Sequence, residues 1–234
     1  MKERLDKWIS TRSAYSRKDV KDLLRRGKVR LNGGTVLDPS TPVTDADFLE
    51  IDGNPFTAPA HLYLMLPKPK GVVSAVTDKN EKTVIDLVPA EWKRNGLFPA
   101  GRLDKSTTGF LILTDDGDFA HRILSPAKHV DKTYRVTLLD PVQPHYAAAF
   151  TDGIVLGDGT RCLSATLQET DDPCTVRVIL HEGRYHQVKR MFASLGNCVT
   201  ALHRESIGSL SLDPALNPGE CRPITPDELR QITE

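Results

Sequence analysis

The chain has 234 residues, 39% hydrophobic and 26% charged, which suits a folded globular protein and leaves room for one large domain or a large and a small one. Its 31 Lys and Arg balance 31 Asp and Glu, so it is no simple polycationic coat for nucleic acid. No apolar run reaches the ~18 residues of a membrane helix, and MKERLDKWIS lacks the apolar core of an export signal, so a cytoplasmic location is expected.

The neutral average hides an asymmetry. Residues 1–30 hold eleven Lys and Arg against four Asp and Glu, a net of +7, so the remainder carries −7. A basic arm on a mildly acidic body suggests a binding module joined to a working domain. A basic, solvated helix without a partner is the bland alternative.

Arg4 to Ile9 reads as a short helix with Leu5, Trp8 and Ile9 on one side. Ser16 is a good N-cap for a second helix, and Asp19 three residues on can return a bond to it. Val20, Leu23 and Leu24 recur at helical spacing, which leaves Arg17, Lys18, Lys21, Arg25 and Arg26 mostly outside. Gly27 ends the helix. Val29, Leu31, Val36 and Leu37 then flank Asn32-Gly33-Gly34, a hairpin signal. RLDKWIS and SRKDVKDLLRRGKVRLNGGTV together resemble the S4-like RNA-binding domain. That resemblance implies phosphate neutralisation by the clustered cations, which supplies affinity without base readout.

Residues 1–55 are therefore expected to form this module, 56–60 a linker and 61–234 a catalytic domain. LYLMLPKPKGVVSA reads as a strand, a Pro-interrupted turn and a second strand. Phe110–Leu113, RVTLL, GIVL and TVRVIL read as further strands. Helices are expected near Thr83–Leu87, Asp118–Leu124, His145–Thr151 and Tyr185–Leu195. Irregular interspersion of strands and helices predicts an α+β domain around a mixed sheet. Cys162, Cys174, Cys198 and Cys221 form no CxxC pair and are expected as reduced thiols.

Three stretches could carry chemistry. In Pro99–Gly109, Asp104 lies in a polar loop, with Arg102 two residues before it and Lys105 beside it. A carboxylate flanked by cations stays ionised and can act as nucleophile or base. By spacing alone, a turn or salt-bridge Asp is the commoner outcome. In HEGRYHQVKRMF, Arg184, Lys189 and Arg190 cluster, and His186 and Gln187 add hydrogen-bonding groups. This suits a phosphate or a carboxylate counter-ion. In KTYRV, Tyr134 is strand packing or a base-stacking ring.

Metal and nucleotide chemistry find no support. HEGRYH has one residue too many for HExxH, and on a helix His181 and His186 point about 140° apart. Asp115-Asp116-Gly117-Asp118 lacks the alternating ligands of a calcium loop. Neither GxGxxG, GxxxxGK[ST] nor GxSxG occurs.

Taken in order, YLMLPKPKGVVSA, AGRLDKSTTGFLILTDDGDFAHRILSP, DKTYRVTL, EGRYHQVKRMFASLGN, LHRESIGSL and NPGECRPITPDEL resemble the pseudouridine synthases. The HQVKRMFA and LHRE context points to the ribosomal small-subunit branch. The resemblance implies an S4-like domain plus a larger domain whose central mixed, mostly antiparallel β-sheet is flanked by helices. It implies isomerisation of a uridine in 16S ribosomal RNA, at position 516, in free RNA or a partly assembled small subunit. Asp104 falls at the catalytic aspartate and Tyr134 at the base-stacking tyrosine. Lys189 falls at a basic residue that pairs with the aspartate, where many relatives carry Arg. Arg184 and Arg190 stand as alternative partners. Arg102 would fix the flipped nucleotide or its phosphate, with Thr107, Thr108, His186 and Gln187 as further RNA contacts. Ile207 and Leu210 would be apolar pocket walls. No cofactor, metal or membrane is implied, and monomer is the default.

Overall fold

The computed structural model describes residues 2–233. The chain divides into two compact units, Met1–Leu62 with Val88–Leu97, and Tyr63–Leu87 with Phe98–Glu234.

In the first unit, β1 (Glu3–Arg4) leads into helices α1 (Leu5–Arg12) and α2 (Arg17–Arg25). There follow β2 (Val29–Leu31), β3 (Gly34–Thr35), β4 (Pro42–Val43), β5 (Leu49–Ile51) and β6 (Asn54–Phe56). Strands β3-β2-β5-β6 form an antiparallel sheet, and β1 pairs with β4. Local chemistry accounts for the boundaries. The Ser16 hydroxyl accepts from Asp19 N at 3.2 Å, and the Asp19 carboxylate accepts from Ser16 N at 2.8 Å. At the far end of α2, Gly27 takes φ +67, and Lys28 N donates to Leu23 O at 3.0 Å. That 6→1 bond leaves no room for a further helical turn. Asn32 and Gly33, at φ 50 and 84, make the tight β2–β3 turn. Leu5, Trp8, Ile9, Val20, Leu24 and Val29 share one core with Val43, Leu49 and Ile51.

This unit also holds a segment expected in the second domain. Buried Arg94 donates to the carbonyls of Thr11, Pro59 and Ala60 at 3.0–3.2 Å. Asn95 donates from its side chain to Ser10 O and Tyr15 O and from its backbone to Ser13 O. These bonds satisfy carbonyls of loops and a helix end, and they tie Val88–Leu97 to the first unit.

The second unit carries a nine-stranded sheet. Its strands are β7 (Tyr63–Lys68), β8 (Phe98–Pro99), β9 (Thr108–Thr114), β10 (Lys132–Leu138), β11 (Thr166–Glu169), β12 (Thr175–Leu180), β13 (Val199–Ile207), β14 (Leu210–Ser211) and β15 (Arg222–Pro223). The main path runs β11-β12-β10-β13-β9-β7-β15, antiparallel except at β13–β9. Helices α3 (Gly117–Leu124), α4 (Tyr146–Asp152), α5 (Gln187–Ser194) and α6 (Pro226–Thr233) accompany it, and the α+β class follows. Strands β7 and β9 are buried almost throughout, which explains their unbroken apolar runs. Strand β10 alternates buried and accessible residues, as a one-sided strand does. Pro67 is tolerated in β7 because β15 pairs only with Leu64 and Met65.

Two expected strands are absent. Val73 forms only a single bridge to Thr83, because Gly71 N and the Ser74 hydroxyl bond instead to the loop bearing Asp104. GIVL contributes only the bridge of Val155 to Arg161. Thr83–Leu87 holds a 3₁₀ turn at Ile85–Leu87 rather than an α-helix. Among the described residues, no helix is long and apolar enough to cross a membrane, and all four cysteines are free.

Candidate active site

A cleft of about 590 Å³ opens in the second unit. Its lining includes Arg102, Asp104, Tyr134, Arg184, His186 and Gln187, which come from three separated stretches of the chain. The loop between β8 and β9 presents Asp104. Leu103 exchanges two bonds with the Ser74 hydroxyl, at 2.9 and 3.0 Å. Gly71 N donates to Lys105 O at 2.8 Å, and Thr107 N closes a turn onto Asp104 O at 3.0 Å. Beneath the loop, the Lys68 ammonium donates to Thr107 O at 2.9 Å and Pro69 O at 3.1 Å. Burial pushes the Lys68 amine down to about 8, offset in part by the Asp104 charge.

Lys189, on α5, meets this loop. Its Nζ lies 2.6 Å from Asp104 Oδ2 and 3.0 Å from Ser106 Oγ. His186 Nε2 stands 3.4 Å from the other carboxylate oxygen, and the Thr107 hydroxyl reaches Oδ2 at 3.4 Å. Both Asp104 and Lys189 keep about a quarter of their side chains in contact with solvent, 25% and 28%. The alternatives are otherwise engaged. Arg184 donates to buried Glu182 at 2.9 Å, and Arg190 pairs with Asp158 at 2.5 Å. Glu182 also accepts from Gln187 Nε2 at 2.7 Å and Leu163 N at 2.9 Å, which anchors the turn before α5.

Tyr134 stands on β10, only 9% exposed. Its hydroxyl accepts from Arg204 Nη1 at 3.4 Å, and the guanidinium carbon lies 5.9 Å from the ring centroid. Arg204, on β13, is buried and donates from Nε to Phe110 O at 2.7 Å, while its Nη2 has no partner among the described residues. Lys132, also buried in the lining, donates to Ile123 O and Val130 O at 2.8 Å. Burial, helped by the Arg204 charge, pushes its amine down to about 8. Lys68, Lys132 and Arg204 were not singled out from the sequence. The available signal for Lys68 was a cation closing the apolar run YLMLPK, whereas Arg204, set among His203, Glu205 and Ser206, carried no such signal.

Other expected contacts fall elsewhere. Ile207 and Leu210 lie in the apolar core with Phe110, Ile112 and Phe119, not in the cleft lining. The apolar lining comes instead from side chains such as Leu103, Leu180, Val188 and Leu202. The Thr108 hydroxyl lies 2.8 Å from His203 Nδ1, away from Asp104, whereas Thr107 lines the cleft. Strands β9 and β13 approach so closely at Gly109 that a Cβ there would lie 2.3 Å from Arg204 O. Arg17, Lys18, Lys21, Arg25 and Arg26 are all exposed or partly exposed on or beside α2 in the first unit. His181 Nδ1 lies 2.7 Å from Asp131, whereas His186 faces Asp104. Among the described residues, no group of three or more His, Cys, Asp or Glu is arranged to hold a metal ion.

Comparisons with known proteins agree with this picture. Residues 62–194 match the family model described as RNA pseudouridylate synthase, and residues 3–49 match the S4 domain. The chain is 42% identical to the uncharacterized RNA pseudouridine synthase YtzG of Bacillus subtilis, covering 99% of this chain and 98% of the relative. It is 41% identical to the ribosomal small subunit pseudouridine synthase A of Escherichia coli K12, covering 98% and 99%. A crystal structure of a pseudouridylate synthase superposes with a TM-score of 0.68 at 40% identity, covering 98% of this chain and 99% of that one.

Proposed function

Because the chain belongs to the RNA pseudouridylate synthase family, we propose that it converts a uridine of 16S ribosomal RNA, at position 516, to pseudouridine. The observation that carries this reading is the carboxylate of Asp104, held at 2.6 Å by Lys189 in the cleft that Tyr134 also lines. The identity of 41% to a small-subunit enzyme over nearly the whole length supports the choice of RNA.

The target base is stacked in RNA, so the uridine flips into the cleft. Tyr134 offers a ring for it to stack on. The C1′–N1 bond then breaks, with its electron pair leaving on N1. Asp104 serves this step by attacking C1′ or by taking a proton from the sugar, and both routes use the carboxylate that Lys189 holds in place. The freed uracil turns within the cleft, and C5 bonds to C1′ as the Asp104 oxygen leaves C1′ in the first route, or as Asp104 returns the proton to the sugar in the second. C5 then loses its proton and N1 gains one, so the net reaction is an isomerisation. Arg102 and the cations of α2 engage phosphates. The protein acts as a monomer in the cytoplasm, on free RNA or a partly assembled small subunit.

The test is to incubate the protein with 16S, 23S and transfer RNA and with small-subunit particles, then map pseudouridine by chemical adduct and primer extension. A stop at position 516, lost with Asp104→Asn while RNA binding persists, is expected. Modification of another RNA would move the substrate assignment. No modification of any RNA would leave an RNA-binding assembly factor.

A further inference from the structure

We propose that the outer face of Tyr185 is a stacking platform for an unpaired nucleobase next to the target uridine. This rests on the RNA reading of the cleft and adds a subsite to it. Tyr185 is 72% exposed, the most exposed large hydrophobic side chain among the described residues, yet it lines the cleft. Its ring is not loose. It lies against the His186 imidazole, with centroids 3.8 Å apart and planes 18° from parallel. Its backbone carbonyl accepts from Arg190 Nη1 at 3.5 Å.

His186 takes a left-handed backbone, φ 50 and ψ 33, at the start of α5. A residue with a side chain holds that conformation at a cost of about 1 kcal/mol or more, and such strain gathers at working sites. Here the imidazole stacks on Tyr185 and also stands with its Nε2 3.4 Å from Asp104 Oδ1. One face of the tyrosine is covered by His186, and the rest of the side chain meets solvent.

A flat, rigid, mostly uncovered ring at a cleft that takes single-stranded RNA is suited to one kind of ligand. Any base presents a π-face, so the site adds affinity and little sequence preference. It also answers an energetic need. When a uridine leaves its stack, its neighbour loses a stacking partner, and Tyr185 replaces that partner. The base would stack on Tyr185 and Tyr185 on His186, whose Nε2 in turn reaches the Asp104 carboxylate.

The test uses a 16S RNA fragment carrying uridine 516, with an abasic nucleotide placed in turn at each of the two positions on either side. Dissociation constants are measured for the unmodified protein, Tyr185→Ala and Tyr185→Phe. Because the side chain is exposed, folding is expected to survive, and a thermal melt checks it. Tyr185→Ala is expected to weaken binding by roughly 5- to 150-fold, and Tyr185→Phe to bind normally. One abasic position should weaken the unmodified protein similarly and leave Tyr185→Ala no weaker still. 2-Aminopurine at that position should lose fluorescence on binding the unmodified protein. Equal binding by Tyr185→Ala, or a penalty that stays undiminished at every abasic position, overturns the platform. Pseudouridine formation on the same fragment is scored separately. Coupling without modification retains the platform and removes the isomerase reading; modification without coupling does the reverse.

Discussion

Replacing Lys189 with Met removes one charge and little volume from the site. Lys189 Nζ and Asp104 Oδ2 are 2.6 Å apart. Two unit charges at that separation attract by about 6 kcal/mol at an effective dielectric of ~20. The net value is smaller, because both side chains keep about a quarter of their surface in water, 28% and 25%. Pairs between the exposed and buried extremes lose about 1–3 kcal/mol when one partner is truncated. What remains around Asp104 is the Thr107 hydroxyl and His186 Nε2, both at 3.4 Å, so the carboxylate is left without its closest cation. Single-turnover pseudouridine formation at saturating RNA should therefore slow by roughly 5- to 150-fold, with RNA affinity changed much less. Lys189→Arg should retain more activity than Lys189→Met, since it keeps the charge. A folded Lys189→Met protein that reacts within about twofold of the unmodified rate would refute the pairing as a source of activity.

Gly109→Ala should abolish or severely weaken folding, by about 3 kcal/mol or more, because its Cβ would lie 2.3 Å from a backbone oxygen at a φ of +105; a melting temperature near that of the unmodified protein contradicts this. Lys68 tests burial by pH. Its amine is lowered to about 8 in the fold against 10.5 unfolded, so between those values the unfolded chain binds more protons and stability rises with pH. Lys68→Met should lack an increment of up to about 3 kcal/mol between about pH 8 and 10.5, read from urea midpoints, and equal slopes for both proteins would count against it. Changing Arg17, Lys18, Lys21, Arg25 and Arg26 to Gln should leave the melting temperature nearly unchanged, because none of the five is buried. The slope of log affinity against log salt should fall by about 0.7–0.9 for each phosphate that these side chains neutralise, and an unchanged slope removes them from the interface.

What was legible in the sequence was mostly local. Ser16 with Asp19, Gly27, and Asn32-Gly33 each act within a few residues, and capping, left-handed backbone and turn chemistry do not wait for tertiary contacts. The apolar runs of β7 and β9 marked strands, but not their place in the sheet. The family motifs also named Asp104, Tyr134 and Lys189, though spacing alone left Asp104 an ordinary loop carboxylate. Only the folded chain chose its partner. Lys189 lies 85 residues from Asp104, and Arg184 and Arg190 were removed from contention by Glu182 and Asp158. The buried cation beside Tyr134 is likewise 70 residues away, on a strand whose neighbours β9 and β10 precede it by long stretches of chain. Ile207 and Leu210 turned inward to the core, and Val88–Leu97 joined the first unit through the carbonyl bonds of Arg94 and Asn95. In each of these cases the deciding term is a charge or hydrogen-bonding group seeking a partner, or an apolar side chain seeking cover. Such partners are chosen by proximity in space, which a linear pattern does not carry.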